Sequence, residues 1–486
     1  NPWPPLYFNH FGDFYIILPM YLDGLTTFLF GLTRFATRFP TALLGALTVF
    51  PTYAIGRRLT KHSAPALLAA FLLAILPWHL VLSRATAESV IELTVIASAA
   101  WALLKSGEKQ SGRWLALATI LTLLSYLIYH TARVFNPLLW LGYLVLFWPK
   151  LRVRPKFLLS QIALATLFFA PTLTINQTEW GRGRFAQTSI FAEQSGVSIR
   201  QTEMIYNLGR DNVFLARLFH NKVLSYGREF VNQYLTYFSP QFLFGELGWK
   251  NTRYAVPEAG LLYLSFILML LINFWPRPPT QGTPIATKGR LDFRFLLFLL
   301  WWLMIAPLPS ALTVIESPNI RRTVLMTLPL VIFAGIGWWR AFGFRWRKIN
   351  LGQLLAFLIA VESVLFAYLY LKQSDLKSSL FRSDGLPELA AYLAENPRQA
   401  ERLVVTGADD LPLYYLFATH NLSPTLAEQF GFNLRIKQID GVMPTEYRCL
   451  IDLPESLLTT LPKNTLFFQP ETCDTASNED EIKLTP

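Results

Sequence analysis

Apolar runs separated by short polar turns occupy the first three quarters of the chain. The clearest are Ala64–Leu82, Phe157–Ile175, Pro257–Trp275, Phe295–Val314 and Leu351–Leu371. Each is about 18 to 22 residues long, enough for a helix to cross a hydrocarbon core of ~30 Å. With the less clean stretches between them, the pattern predicts ten spanning helices at 39–56, 64–82, 88–104, 114–130, 134–149, 156–176, 257–276, 292–314, 323–340 and 351–371. An eleventh apolar stretch at 11–33 is interrupted by Asp23 and Gly24 and flanked by aromatics. It predicts a segment lying along the interface rather than crossing it. The fold class expected is an all-α polytopic membrane protein.

Basic residues sort by loop. Arg57, Arg58 and Lys61 form one basic turn; Lys105, Lys109 and Arg113 form the next; Lys150, Arg152, Arg154 and Lys156 form a third. Arg277, Lys288 and Arg290 follow, then Arg340, Arg345, Arg347 and Lys348. With the predicted helices all five fall on one side, which the positive-inside rule makes cytoplasmic. The outer side then receives the turns around Ser83–Glu88, His130–Asn136 and Glu316–Arg322, a long loop at 177–256, and everything after Lys372. That loop holds seven basic residues from Arg182 to Arg228, and apolar-periodic pieces at Val213–Phe219 and Phe230–Phe238. They predict short membrane-surface helices that cover a site.

After Lys372 the pattern changes. Gly385–Glu395 and Leu411–Ala418 read as helices, and Arg402–Thr406, Cys449–Leu453 and Thr465–Phe468 as strands. The division expected is a transmembrane domain at 1–372 and a small extracytoplasmic α/β domain at 373–486, accessory or substrate-guiding, with a disordered acidic end from 474.

Composition narrows the class. Over 486 residues the chain is 52% hydrophobic and 15% charged, with mean hydropathy +0.34, where a soluble chain would carry roughly a quarter charged residues. Its net charge of +11 is spread over short inter-helix turns instead of forming the stripe of a nucleic-acid surface. Only Cys449 and Cys473 are present, which excludes a cysteine metal cluster and allows one disulfide outside the cytoplasm. No set of metal ligands stands out, and no cofactor is expected. The chain opens Asn1-Pro2-Trp3 without Met and reads as N-terminally incomplete.

Ionisable residues at membrane depth are costly and mark function by default. Glu88 closes Ser83-Arg84-Ala85-Thr86-Ala87-Glu88 at the outer start of a helix, with His79 a little upstream. An N-terminal carboxylate favoured by the helix dipole is the plain alternative. Two further outer turns carry Tyr129-His130-Thr131-Ala132-Arg133 and Glu316-Ser317-Pro318-Asn319-Ile320-Arg321-Arg322. A lone Arg is commonly a snorkelling residue. Three basic clusters from distant turns on one face instead suit a phosphate, for which guanidinium offers planar paired donors. The partner that brings a phosphate to this depth is a polyprenyl-phosphate lipid. There is no nucleotide-binding Gly-rich loop, HExxH or Gly-x-Ser-x-Gly elbow, so a sugar donor that needs no nucleotide fits.

An ordered set of motifs runs over about 1–345. It comprises Pro4-Pro5-Leu6-Tyr7; Arg34-Phe35-Ala36-Thr37-Arg38-Phe39-Pro40-Thr41-Ala42-Leu43-Leu44-Gly45; Pro77-Trp78-His79 with Ser83-Arg84 and Glu88; and Arg133-Val134-Phe135-Asn136-Pro137. Tyr237-Phe238-Ser239-Pro240-Gln241-Phe242-Leu243-Phe244 and Pro309-Ser310-Ala311-Leu312 follow, leading to Pro318-Asn319 and Arg321-Arg322. In this order they resemble the GT-C membrane glycosyltransferases, specifically the protein O-mannosyltransferase-like group (glycosyltransferase family 39, which includes aminoarabinose transferases). The resemblance implies a GT-C helical bundle and an inverting transfer from a polyprenyl-phosphate sugar to a protein or lipid-glycan acceptor hydroxyl. It implies a general base in an acidic motif that would precede Asn1, with Asp13 and Asp23 the nearest substitutes. Glu88 matches the second acidic position, expected to orient the acceptor or the site. Arg84, Arg133, Arg321 and Arg322 are expected to hold the lipid phosphate, with His130 beside them. Tyr237, Gln241 and Arg253 are expected to line the sugar pocket.

Two other classes compete. A polyprenyl-linked glycan polymerase or ligase shares the chemistry and the location. A lipid-sugar flippase or transporter should show repeats, broken helices and mid-depth charges, whereas here no repeat is seen and the charges crowd one face. The topology predicts that cysteines placed at Lys109 and Asn421 label from opposite sides of the membrane. Labelling of both from the same side would overturn it.

Overall fold

The computed structural model describes residues 7–10, 13–152, 154–175, 188–192, 195–250, 254–275, 292–314, 316–346, 349–373, 386–395, 402–406, 411–419, 442–445, 451, 453–462 and 465–468. The chain divides into one compact unit of Asn1–Tyr7 with Ile16–Lys377 and a second of Phe8–Tyr15 with Ser378–Pro486.

The first unit is helical. Its opening elements are α1 (Ile17–Phe30), α2 (Arg34–Leu47), α3 (Val49–Thr60), α4 (Ser63–Ile75), α5 (Pro77–Arg84), α6 (Glu88–Lys109), α7 (Gly112–Ser125), α8 (Ala132–Leu151) and α9 (Pro155–Ile175). There follow α10 (Val197–Phe219), α11 (Lys222–Thr236), α12 (Pro240–Phe244), α13 (Ser265–Ile272), α14 (Phe293–Ile305), α15 (Leu308–Ala311), α16 (Thr327–Ala341) and α17 (Leu351–Tyr368). Among the described residues six helical stretches are long and apolar enough to cross a membrane: Arg34–Thr60, Glu88–Lys109, Ala132–Leu151, Phe293–Ala311, Val324–Ala341 and Leu351–Gln373. The pair α4 and α5 makes a seventh if taken as one span, and three shorter apolar helices accompany them. Reaching the expected ten spanning helices takes these shorter ones as well, among them α9, whose 21 residues run Pro155–Ile175. Another is α1, whose 14 residues extend ~21 Å.

Two predicted spans are broken. The run 64–82 bends by 52° between α4 and α5, where Pro77 opens the second helix and Leu76 is extended, as a residue before proline favours. The run 257–276 is helical only from Ser265. Upstream, its backbone is used by tertiary partners: Trp78 N donates to Leu261 O (3.2 Å), Leu262 N to Leu243 O (2.8 Å), and the Trp249 indole to Ala259 O (2.8 Å). Gly260 lies so close to the Phe244 backbone that a Cβ would sit 2.7 Å from its carbonyl. Hydropathy registers this segment's burial but not its conformation. Glu362 of α17 supplies the missing cap for α13, accepting from Ser265 N (3.2 Å) and Ser265 Oγ (2.5 Å).

The basic turns gather at one end. Arg58 pairs with Glu108 (3.3 Å), Gln110 donates to Lys150 O (3.2 Å), Lys150 lies 4.0 Å from Asp292, and Asp292 N donates to Leu59 O (3.4 Å). Arg340 donates to the carbonyls of Asn273 (2.8 Å) and Trp275 (2.6 Å).

The second unit's strands are β1 (Tyr7–His10) and β2 (Asp13–Ile16), a two-stranded pair, and β5 (Arg402–Thr406), β6 (Val442–Thr445) and β7 (Thr465–Phe468); the first unit contributes β3 (Arg345–Trp346) and β4 (Ile349–Asn350) as an antiparallel pair. β5 is central, parallel to β6 and β7, with helices at Leu386–Glu395, Leu411–Ala418 and Glu455–Leu458. The strand expected at Cys449–Leu453 is not formed among the described residues; Val442–Thr445 takes the position beside β5. The acidic end from 474, with Cys473, lies outside the described residues.

Close glycine contacts set the core spacing. A Cβ on Gly337 of α16 would sit 1.7 Å from Met269 O of α13, and one on Gly335 2.6 Å from Ala69 N of α4. Small residues that let backbones approach are the usual device where lipid removes the hydrophobic drive between helices. Gly337→Ala is expected to destabilise by about 1–3 kcal/mol, measured as a lower thermal midpoint in detergent. Gly112→Ala, where nothing lies within 4 Å, should leave the midpoint unchanged.

Candidate active site

Glu88 stands in the first turn of α6, whose N-cap residue Ala87 offers no side-chain cap. A carboxylate there gains from the free amides and the helix dipole. The most apolar 18-residue window of α6 is 83% buried, and runs of Ala and Ser let neighbours close around it. One Glu88 oxygen, Oε2, is buried without a hydrogen-bond partner. A buried, unpaired carboxylate oxygen is costly, so this is where an incoming donor or cation would be taken.

The facing element is the turn Glu316–Arg322, which one side chain organises. Asn319 Oδ1 accepts from the backbone N–H groups of Arg321 (2.9 Å) and Arg322 (3.1 Å), and its Nδ2 donates to Glu316 Oε2 (2.9 Å). Its carbonyl accepts from Thr323 Oγ1 (2.9 Å). Next along, Ile320 O accepts the Trp78 indole N–H (3.0 Å), tying this turn to α5. Arg322 donates to Thr313 Oγ1 (2.8 Å). Arg321 reaches Glu316 at 3.5 Å. Burial works against its guanidinium, but the Glu88 and Glu316 carboxylates favour its charged form and raise its pKa.

The third element is the turn between α7 and α8. Burial raises the Tyr129 phenol, with Arg321 and Arg322 pulling the other way, so it stands as a neutral donor at ordinary pH. His130 is half-buried, its ring 6.1 Å from that of Tyr129, and Arg133 is half-buried beyond it. Thr131 Oγ1 donates to Glu92 Oε1 (2.6 Å). Glu92 is fully buried one helical turn below Glu88 and pins this turn onto α6.

A fourth contribution comes from α1. Leu18 and Leu22 pack with Ile91, Val95, Ile128 and Tyr129, and Leu18 N donates to Leu127 O (3.1 Å). This brings the next residue, Asp23, within reach of Glu88. Burial first and the Glu88 charge second raise the Asp23 carboxyl to about 6.

The remaining expected residues fall elsewhere. Arg84 is exposed, its guanidinium 4.9 Å above the Tyr370 ring. Tyr237 is 0% exposed and lies in the core rather than in an open pocket. Its hydroxyl bonds Ser310 Oγ (2.6 Å) and accepts from Asn319 N (3.4 Å), so it props the arginine turn. Gln241 is exposed at the start of α12. Arg253 lies outside the described residues; Asp13 belongs to the second unit. The sequence reading did not single out Glu92, although a carboxylate four residues after Glu88 in an apolar helix is a readable signal. The role of Asn319 had none beyond its place before two arginines. Among the described residues no group of three or more His, Cys, Asp or Glu could hold a metal ion.

Residues 17–175 match the family model described as dolichyl-phosphate-mannose-protein mannosyltransferase. This third of the chain carries Asp23, Glu88, Glu92 and Arg133, and the family it matches is one of GT-C membrane glycosyltransferases. No curated protein matches the chain in sequence. Among solved structures it is similar to the archaeal oligosaccharyltransferase AglB from Archaeoglobus fulgidus, in complex with an inhibitory peptide and a dolichol-phosphate. There the identity is 14% and the TM-score 0.43, over 86% of this chain and 58% of that one. It is also similar to ArnT from Cupriavidus metallidurans, in the apo state and bound to undecaprenyl phosphate. Both forms give 13% identity and TM-score 0.42 over 83% of this chain and 73% or 74% of theirs. The chain thus spans under two thirds of the length of AglB.

Tyr237→Phe distinguishes a prop from a sugar contact. It is expected to cost about 1 kcal/mol of stability, read as a lower thermal midpoint, with kcat preserved at saturating donor. An unchanged midpoint with a large loss in kcat/KM would return Tyr237 to the sugar pocket.

Proposed function

We propose that the chain transfers a sugar from a polyprenyl-phosphate carrier to an acceptor hydroxyl at the Glu88 end of the bundle, inverting the anomeric carbon and using no nucleotide. The observation that carries this reading is a buried Glu88 oxygen left without a hydrogen-bond partner in the field of the Arg321 guanidinium, at the end of apolar helices that a lipid tail can follow. The matched family model is named for dolichyl-phosphate-mannose, a donor of this class. The other end of the bundle collects the basic turns, and by the positive-inside rule the Glu88 end is then extracytoplasmic.

The roles follow from charge and position. Arg321, with Arg322 and Arg133 near it, holds the lipid phosphate. Arg84, over Tyr370 at the rim, meets it on entry. The acceptor oxygen attacks the anomeric carbon, and the bond from that carbon to the phosphate oxygen breaks with its electron pair leaving on the phosphate. Guanidinium groups in a partly dry cleft stabilise that developing charge. The hydroxyl proton passes to a carboxylate. Asp23, raised to about 6, is suited to take it near neutral pH, while Glu88 orients the acceptor and fixes Arg321.

Glu88→Gln and Arg321→Ala are each expected to cut transfer by about 100-fold or more, with the proteins still folded, using a polyprenyl-phosphate sugar as donor. Near-normal turnover in either would remove the site assignment. Asp23 must be ionised to accept a proton, so activity is expected to fall as pH drops through about 6. Asp23→Asn should remove most activity and this acidic limb with it. A limb that survives unchanged in Asp23→Asn would show that another group is the base.

A further inference from the structure

The helices α10 and α11 form a hairpin whose tip the proposed reaction does not use. At Asn212 the backbone leaves helical geometry and α10 restarts, with Asn212 Oδ1 accepting from Leu215 N (3.0 Å). At the reversal Asn221 Oδ1 accepts from Leu224 N (2.9 Å) and its Nδ2 donates to Leu218 O (2.8 Å). Two asparagine caps thus shape a defined tip at 212–224. Its side chains are apolar and outward: Phe214 is 74% exposed, Phe219 61% and Val223 82%, with Val213, Leu218 and Leu224 exposed beside them. A soluble surface does not leave such a patch uncovered. The charges there are Arg217 and Lys222, and residues 212–224 contain no Asp or Glu.

The root of the hairpin fixes its level. Phe230, Tyr234 and Phe238 pack against the core of the first unit, and Tyr234 OH donates to Met304 O (2.9 Å), one residue before α14 ends. Arg200 of α10 pairs with Glu229 of α11 (3.0 Å), holding the two arms together. The hairpin is therefore rooted against the last turn of α14, within the apolar stretch Phe293–Ala311 that is long enough to span the membrane. From there α11, with 15 residues, carries the tip ~22 Å away.

We propose that this tip is seated in the acidic-phospholipid surface of the same bilayer, its apolar residues among the acyl chains and Arg217 and Lys222 on anionic headgroups. Apolar wedges with basic side chains that can snorkel upward suit such an interface. The absence of any tip carboxylate removes repulsion from an anionic leaflet.

The test uses the full chain with Cys449→Ser and Cys473→Ser, reconstituted in vesicles of equal phosphatidylcholine and phosphatidylglycerol. An environment-sensitive fluorophore is placed at Phe214→Cys or Val223→Cys. The expected result is blue-shifted emission quenched by brominated-acyl phospholipids and not by aqueous iodide. Vesicles of phosphatidylcholine alone, or the added pair Arg217→Glu and Lys222→Glu, should at least halve the bromolipid quenching. Ready iodide quenching without bromolipid quenching would overturn the proposal. So would protection from both quenchers, which would mean a second copy or another protein covers the tip. Equal bromolipid quenching with and without acidic lipid, or with and without the two basic residues, would equally overturn the acidic-lipid seat.

Discussion

Inside a bilayer no water is available to satisfy a stray backbone amide or carbonyl. Three departures from regular helix among the described residues are met by named partners. The non-helical stretch before Ser265 spends its backbone groups on Trp78, Leu243 and Trp249. The first amide of α13 is taken by a carboxylate from another helix, Glu362. The turn bearing Arg321 and Arg322 is closed by Asn319 and by the Trp78 indole. Trp78 appears twice, its amide on one irregular segment and its indole on another. The bend between α4 and α5 that positions it therefore organises both walls of the polar end.

That arrangement explains what kind of chemistry the site can support. Glu88, Asp23, Tyr129 and Arg321 come from four different elements, held in a region poor in water, where charges interact far more strongly than in solution. Removing the Arg321 charge would leave the buried Glu88 carboxyl without the cation that favours its ionised form. Such a cluster is expensive to fold and is found where a charged group must be received or a charge must develop. Glu92, below it and bonded to Thr131, shows how the cost is met: the carboxylate nearest the apolar interior is given a side-chain donor, while the one above it keeps an oxygen open.

Much of this was legible in the sequence because hydropathy and charge placement are local signals. The long spans, the basic turns and the three polar turns carrying Glu88, His130 and Arg321 could be read from residue type and spacing. Broken helices were not legible. Pro257–Trp275 is apolar apart from Glu258, Ser265 and Asn273, and a period cannot separate buried extended chain from buried helix. Pro257, Glu258 and Gly260 were the local hints of the break. Tyr237 was ambiguous for the opposite reason: an aromatic with a hydroxyl next to a Ser-Pro turn suits a sugar pocket as well as a core prop, and only the partners of its oxygen bear on the choice. The influence of Glu88 on Asp23 depends on how Leu18 and Leu22 of α1 pack against Ile91, Val95, Ile128 and Tyr129, a tertiary fact with no local trace.

Glu362 carries one more implication. Its helix, α17, belongs to the span with the smallest buried share, 22% of its apolar window, so most of its surface meets lipid. Packing alone would let such a helix roll about its own axis. The carboxylate prevents this, because rolling would withdraw it from Ser265 and leave the start of α13 uncapped in hydrocarbon. A bilayer of different thickness can therefore tilt this outer helix but cannot rotate it. It behaves as a keyed stave, free in inclination and locked in phase.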